Sequence, residues 1–182
     1  RARAGVRAVA PYLLVEEDAE VKVNQNESPW DVPEEIKDEV ARRLRSLPWN
    51  RYHQKIPQEF LAAIARDAGF PVEGVIAASG SNLILQWVFG TYATPGSTVV
   101  APTPSFALYP LWSEIFEATL VGVPLGERFE YNAGMFAAAI ERHRPSLAVL
   151  CLPNNPTGSE MARADLVRVA DAARRAGAVL AV

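Results

Sequence analysis

The sequence predicts an α/β fold, with a mainly parallel sheet flanked by helices and preceded by an N-terminal arm. From residue 57 onward, short apolar runs of strand type alternate with segments whose apolar residues recur at helical spacing. Gly or Pro stands near most junctions, where the chain must change conformation. Because strands that alternate with helices pair in parallel through helical crossovers, this order indicates a layered α/β domain.

Residues 1–56 contain no such alternation, and we expect an arm followed by one helix outside the sheet domain. Over residues 33–47, Ile36, Val40 and Leu44 recur at helical spacing. Glutamates stand early in this segment and arginines late, as the helix dipole favours. A second helix is predicted over residues 57–69, because Pro57 suits a first helical turn and Gly69 suits a helix end.

The remaining sequence predicts the strands and helices of the sheet domain. Strands are expected at residues 75–78, 98–102, 118–125 and 147–152, and another begins at residues 178–182. The segment 81–93 is apolar nearly all round, which predicts a helix buried on most sides. Three further helices are expected: one over residues 106–116, one from the N-cap Asn132 through His143, and one over residues 164–177, which ends at Gly177.

Composition and charge disfavour several classes of function. The net charge of -3 and the scattered arginines predict no binding to nucleic acid or to an anionic membrane, which leaves small molecules as the expected ligands. The apolar runs are too short to span a bilayer. A single cysteine, Cys151, excludes an internal disulfide framework and favours a reducing, cytoplasmic location. His53 and His143 stand far apart, and no cluster with metal-ligand spacing predicts a metal site.

Three loops are expected to form a binding site, because ligands of open parallel sheets bind beyond the carboxyl ends of the strands. These loops are residues 78–82, 102–106 and 153–158. In the first, "SGSN" stands between a predicted strand and a predicted helix, so that free backbone N–H groups can hold a phosphate. A simple capped turn explains the same four residues, and the spacing alone favours that explanation.

The other two loops offer an aromatic face and an amide. Phe106 can cover a flat ring beyond a strand end, although core packing is the more frequent role of a phenylalanine. In "NNPTG", Asn154 or Asn155 can donate an amide N–H to a ligand oxygen, while Pro156 and Gly158 fix the turn. An ordinary loop is the alternative, and it explains so specific a turn less well.

These motifs, in this order, make the chain similar to a known family. "PNNPTG" at residues 153–158 is the most specific, and it is supported by "VRAVAPY" at 6–12, "VNQNESP" at 23–29, "RY" at 51–52, "GSN" at 80–82 and "PSFALY" at 104–109. The chain resembles the N-terminal half of the pyridoxal-phosphate (PLP) dependent aminotransferases of fold type I, class I/II. The opening "VR…PY" and the pattern "N-x-N-E-x-P" resemble the histidinol-phosphate branch of that family.

The resemblance implies an aspartate aminotransferase-like fold. Residues 57–182 would be the incomplete N-terminal part of its PLP-binding large domain. Residues 1–56 would form an arm and a helix that contribute to the small domain or to a dimer contact. The implied cofactor is pyridoxal 5'-phosphate, the implied substrates are amino acids and 2-oxo acids, and the implied assembly is a homodimer.

The resemblance also implies roles for particular residues. Asn155 would hydrogen-bond the phenolic oxygen of PLP, and Phe106 would stack on its pyridine ring, where the family often has tyrosine. Backbone N–H groups of the "GSN" turn would bind the phosphate, although Asn82 and Leu83 replace two acidic residues of the usual family motif. The cofactor-binding residues so implied are Tyr52, Gly80, Ser81, Asn82, Phe106 and Asn155, with Tyr52 reaching the cofactor of a second subunit, and Tyr12 and Asn26 would lie near the substrate.

The residues that would perform the chemistry are missing from this sequence. The resemblance implies a Schiff-base lysine and an aspartate that pairs with the ring nitrogen. The lysines here are Lys22, Lys37 and Lys55, all before the sheet domain. We therefore expect no catalytic residue in this chain, which would be an inactive fragment of a longer enzyme. That enzyme is expected to convert L-histidinol phosphate and 2-oxoglutarate into imidazole-acetol phosphate and glutamate.

Other functions stay open. A broader-specificity aminotransferase of the same fold, acting on aromatic or other amino acids, is the nearest alternative, and a related decarboxylase is a more distant one. A non-catalytic module that binds a phosphate-containing ligand is an alternative from another class. The apolar ending "GAVLAV" disfavours this module, because a stand-alone sheet must cover or charge its edge strands.

Overall fold

The computed structural model describes residues 1–10, 20–52 and 56–182. The chain divides into two compact units. The sheet unit comprises Arg1–Pro11 and Ala78–Val182, and the helical unit comprises Tyr12–Ala77. The functional division expected from the sequence, after residue 56, stays a prediction.

Helices and strands alternate along the sheet unit. The α-helices of the described residues are α1 (Ala4–Ala8), α2 (Glu34–Ser46), α3 (Gln58–Ala68), α4 (Ser81–Tyr92), α5 (Leu108–Ile115), α6 (Ala133–His143) and α7 (Arg163–Ala176). The strands are β1 (Thr98–Thr103), β2 (Thr119–Pro124), β3 (Leu147–Val149) and β4 (Val179–Ala181). Helices α2 and α3 and a 3-10 turn at Val72–Gly74 belong to the helical unit. Among the helices of the described ranges, none is both long and apolar enough to cross a membrane.

The four strands form one parallel sheet in the order β2-β1-β3-β4. Strand β1 is central: Val99 pairs with Leu120 of β2 on one side and with Leu147 of β3 on the other. Each crossover between successive strands contains one of the helices α5, α6 and α7. The prediction of a mainly parallel sheet flanked by helices is therefore confirmed.

Side chains of the central strands alternate between two cores, one on each face of the sheet. Val100 and Ala148 point into a cluster with residues of α6 and α7, among them Ile140 and Val169. The adjacent residues Val99, Ala101, Leu147 and Val149 point into the other cluster, with Phe89 of α4 and Tyr109 of α5. Burial on both faces explains why these strands read as continuous apolar runs in the sequence.

Local signals in the sequence explain where several helices begin and end. The Asn132 side chain accepts a hydrogen bond from the Met135 N–H at 2.9 Å and so caps α6, as predicted. Gly177 ends α7 in the left-handed region, with φ of 72°, which a residue without Cβ adopts readily. Helices α2 and α3 also fall where the sequence predicts them.

Two predictions about the segment before β1 are wrong. Residues 75–78 form no strand: Val75 has extended dihedral angles, but the segment pairs with none of the four strands of the sheet. Helix α4 forms as predicted, yet Phe89 is its one buried residue, and Trp87 is 44% exposed. An apolar run predicts a tendency to be buried, whereas actual burial requires a neighbouring strand or helix to cover it.

Replacing Ile140 tests the core between the sheet and helices α6 and α7. Ile140 is fully buried, so we expect Ile140→Ala to lower the free energy of unfolding by about 2–5 kcal/mol through lost burial and the cavity left behind. Met135→Ala on the same helix is the matched control, because Met135 is exposed and should change stability by less than about 0.5 kcal/mol. Urea denaturation followed by circular dichroism measures both, and equal effects would contradict this description of the core.

Candidate functional site

The sheet unit contains a cavity of about 440 Å³ beside the carboxyl ends of β3 and β4. Its walls come from α4, from the loop after β1 together with the start of α5, and from the segment after β3. The lining residues are Ser81, Ile84, Leu85, Val88, Phe106, Tyr109, Val149, Leu150, Cys151, Leu152, Asn155, Ala181 and Val182. The cavity thus brings together one residue from each of the three loops singled out in the sequence.

The N-terminus of α4 supplies backbone donors at this cavity. Gly80 precedes the helix with φ of 82° and ψ of 157°, a conformation essentially restricted to glycine. No side chain caps this end of the helix among the described residues. The first N–H groups, those of Ser81 and Asn82, have no carbonyl of a preceding turn to bind, while Leu83 N–H donates to Gly80 O at 3.3 Å. A phosphate would find both free donors and the positive end of the helix dipole here.

Aromatic rings form one wall of the cavity. Phe106 meets Tyr109 edge to face, with ring centroids 5.8 Å apart and an interplanar angle of 82°. Tyr109 in turn stacks on Phe89, with centroids 6.3 Å apart. Burial raises the pKa of the Tyr109 phenol well above its ordinary value, and the neighbouring Cys151 thiol adds to the effect. Phe106 is therefore half-buried at the cavity and packs against the stacked rings of Tyr109 and Phe89, both of which are neutral.

The two asparagines of the "NNPTG" turn have different environments. Asn154 is 2% exposed, and its side-chain amide is engaged by the protein: it donates to Pro104 O at 3.1 Å and to Thr157 Oγ1 at 2.8 Å. Asn155 lines the cavity, and within the described residues its side-chain amide makes no hydrogen bond. The sequence left both asparagines open as donors to a ligand. Of the two, Asn155 has the side-chain amide that is available to hydrogen-bond a ligand.

A tyrosine outside the three loops supports the segment after β3. The Tyr131 hydroxyl donates to Cys151 O at 2.6 Å. Burial raises the pKa of Tyr131 to about 12, and the nearby Cys151 thiol adds to this effect. The Cys151 Sγ accepts a hydrogen bond from Asn155 N–H at 3.4 Å. Neither role can be predicted from the sequence, because neither residue belongs to a motif and their proximity depends on the fold.

Three further residues implied by the resemblance lie outside the residue ranges of the sheet unit. Tyr52 and Asn26 belong to the helical unit; Tyr52 is 98% exposed, and Asn26 is exposed with φ of 54°. Tyr12 lies outside the described residues. Within the described ranges, no group of three or more His, Cys, Asp and Glu side chains is arranged to hold a metal ion.

Replacing Tyr131 tests its support of this segment. Tyr131→Phe removes the hydrogen bond to Cys151 O, and we expect a loss of about 0.5–1.5 kcal/mol in the free energy of unfolding near pH 7. Since the phenol pKa is higher in the folded than in the unfolded protein, its stabilising contribution is complete below about pH 10 and is lost as the pH rises toward the folded value. Stability should therefore fall less steeply above about pH 10 in Tyr131→Phe than in the parent.

Urea denaturation across this pH range provides the measurement, with Tyr92→Phe as the control because the Tyr92 ring is exposed on α4. An alkaline loss of stability that is the same in Tyr131→Phe and in the parent would assign the transition to other groups.

Comparisons with known proteins identify the family of this chain. The family model described as aminotransferase class I and II matches residues 19–182. The chain is 39% identical over 153 residues to the histidinol-phosphate aminotransferase of Chlorobaculum parvum, covering 84% of this chain and 43% of the relative. The chain spans about half the length of the curated relatives that it matches.

Solved structures show the same fold. A Thermus thermophilus aspartate aminotransferase tetra mutant has a TM-score of 0.82 at 22% identity, covering 99% of this chain and 49% of that one. The Sinorhizobium meliloti histidinol-phosphate aminotransferase in complex with pyridoxal-5'-phosphate has a TM-score of 0.75 at 21% identity, covering 86% of this chain and 42% of that one. With its parallel sheet, its "PNNPTG" turn and the match over residues 19–182, this chain belongs to the class I and II aminotransferase family.

Proposed function

We propose that this chain is the N-terminal half of a PLP-dependent aminotransferase and that its cavity holds the cofactor. The observation that carries the proposal is the meeting, in one cavity of the sheet unit, of the α4 N-terminus, the Phe106 ring and the Asn155 amide. PLP has one group for each of them: a phosphate, a flat pyridine ring and a phenolic oxygen. Membership of the aminotransferase family supports the same assignment.

The residues present fit such a cofactor. A cavity of about 440 Å³ lies within the range of about 300–1,000 Å³ usual for small-molecule sites. The backbone N–H groups of Ser81 and Asn82 can bind a dianionic phosphate without any lysine. The apolar side chains of Ile84, Leu85 and Val88 on α4 also line the cavity and can contact the apolar part of the cofactor ring.

Each of these residues has a distinct chemical role in the proposed site. The Asn155 amide donates a hydrogen bond toward the phenolic oxygen and stabilises its deprotonated form. Phe106 covers one face of the ring and excludes water from it. The α4 N-terminus offsets the charge of the phosphate. When bound, PLP supplies an electron sink for the electrons released as a proton leaves the substrate α-carbon.

We further propose that the cofactor-binding lysine and the aspartate at the ring nitrogen come from the part of the relatives that this chain does not cover. The described lysines support this: Lys22 pairs with Glu27, and Lys37 pairs with Asp31 and Glu34, all in the helical unit. Lys55 lies outside the described residues. The sheet unit, which contains the cavity, has no lysine in its sequence.

The proposed substrates are L-histidinol phosphate and 2-oxoglutarate, and the proposed assembly is a cytoplasmic homodimer. The names of the curated relatives and the motifs "VR…PY" and "N-x-N-E-x-P" support the substrate. The nearly complete exposure of Tyr52 supports a role toward a second subunit. An aminotransferase of broader specificity remains the second candidate, because much of the length of the relatives is not represented in this chain.

Intact mass and amino transfer together test the proposed function. We expect the protein purified from its source to be substantially heavier than 19.8 kDa and to gain one cofactor mass after incubation with PLP and borohydride, which fixes a covalent lysine–cofactor linkage. It should form glutamate from 2-oxoglutarate when L-histidinol phosphate is the amino donor. Faster transfer from aromatic amino acids would favour the broader enzyme.

A chain of 19.8 kDa that binds a phosphate-containing ligand but gains no cofactor mass and transfers no amino group would favour the non-catalytic module.

Replacing Asn155 tests the amide contact. Asn155→Ala removes a donor to a charged oxygen, and we expect PLP to bind about tenfold or more weakly, since a hydrogen bond to a charged group is worth about 1.5–3 kcal/mol. The pKa of the bound phenol should rise, because its deprotonated form loses a partner. Absorption spectra recorded over a pH series report both changes.

The matched control is Gln86→Ala, which removes an exposed amide on α4 that does not line the cavity. An equal loss of affinity in the two variants would contradict the role assigned to Asn155.

A further inference from the structure

The buried Asn154 amide joins two loops that are about fifty residues apart in sequence. On the side of the loop after β1, Ser105 Oγ donates to Asn154 Oδ1 at 2.7 Å, and Asn154 Nδ2 donates to Pro104 O at 3.1 Å. Tyr131 Oη lies 3.3 Å from the same Oδ1. Asn154 thus both donates to and accepts from the loop that precedes Phe106.

Asn154 is also fixed within its own turn. Its Nδ2 donates a second hydrogen bond, to Thr157 Oγ1 at 2.8 Å, and Thr157 Oγ1 lies 2.9 Å from Ser159 Oγ. Its backbone N–H donates to Ser159 O at 2.7 Å, and Gly158 N–H donates to its carbonyl at 2.6 Å. Both side-chain donors and the side-chain acceptor of this amide are therefore in use.

The residues that follow Ser105 and Asn154 in the sequence are two of those that line the cavity. Ser105 immediately precedes Phe106, and Asn154 immediately precedes Asn155. Phe106 and Asn155 both line the cavity. Because the Asn154 amide is planar and buried and has its hydrogen-bonding groups satisfied, it fixes the separation of the two loops in a narrow range.

From this arrangement we infer that Asn154 is a positioning residue, which sets the distance between the Phe106 ring and the Asn155 amide so that both can engage one flat ligand. The inference rests on the proposed function for the identity of that ligand, PLP. Asn154 itself does not line the cavity. Its effect on binding is exerted through the residues beside it.

Two variants weaken the link from opposite sides, and a third provides the control. Asn154→Ala removes all of the side-chain bonds, and Ser105→Ala removes one of them while leaving a small side chain that the loop accommodates. Thr157→Val is the control, because it disturbs the turn of Asn154 without touching the loop after β1.

The first readout needs no cofactor. Amide hydrogen exchange over residues 105–109, where Tyr109 N–H donates to Phe106 O, should become faster in Asn154→Ala and in Ser105→Ala, and it should keep the parent rate in Thr157→Val. Faster exchange confined to the N–H groups of residues 154, 155, 157 and 158 in Asn154→Ala would mean that the amide stabilises its own turn alone, which would overturn the inference.

The second readout is PLP binding, with the absorption spectrum of the bound cofactor. We expect Asn154→Ala to weaken binding about tenfold and to raise the pKa of the bound phenol, as misplacement of Asn155 would. The double variant Ser105→Ala/Asn154→Ala should bind no more weakly than Asn154→Ala, since both changes remove the same link.

The two proposals fail in different ways. If the parent binds PLP and Asn154→Ala binds it with the same affinity and spectrum while losing only thermal stability, Asn154 is purely structural and the proposed function stands. If the full-length parent enzyme binds no PLP, the proposed function is overturned, and the positioning role is overturned with it. If Asn154→Ala does not fold, Ser105→Ala decides by the same two readouts.

Discussion

Parallel pairing of β1 with β3 is the constraint on which the candidate site depends. Strands that run in the same direction end at the same edge of the sheet, so the segments that follow β1 and β3 emerge side by side. Phe106 follows the first strand and Asn155 follows the second, although about fifty residues separate them in the sequence. An antiparallel arrangement of the same two strands would send these loops to opposite edges.

The central position of β1 also buries its residues 99–102, and this burial fixes the register that the site needs. Val99 and Val100 are both fully buried, and each faces a different core. Shifting the strand by one residue would exchange its two faces, so the strand is held in a single register by packing on both sides. The loop that carries Phe106 consequently leaves the sheet at a defined place, and the backbone donors at the start of α4 meet the same cavity.

Polar groups near the cavity serve two purposes, which the structure separates. The Asn154 amide and the Tyr131 hydroxyl are hydrogen-bonded within the protein and hold the turn after β3. The Asn155 amide and the first N–H groups of α4 have no such partner in the described residues and can bind a ligand. The sheet unit has no lysine in its sequence, so in the proposed site backbone donors and amides would bind the anionic cofactor. Membership of the aminotransferase family is consistent with these two sets of polar groups, one that holds the turn and one that can bind a ligand.

The sequence by itself determined the class of fold, most helices and strands, and the three loops that contribute residues to the cavity. Apolar periodicity and local caps such as Asn132 and Gly177 act over a few residues, so they can be read without the fold. Only the tertiary structure decided which asparagine of "NNPTG" has no side-chain hydrogen bond within the described residues. It also decided that the Tyr131 hydroxyl donates to Cys151 O and that residues 75–78 pair with none of the four strands. Each of these depends on a partner distant in sequence, and hydrogen bonds and burial between distant segments exist only once the sheet has brought those segments together.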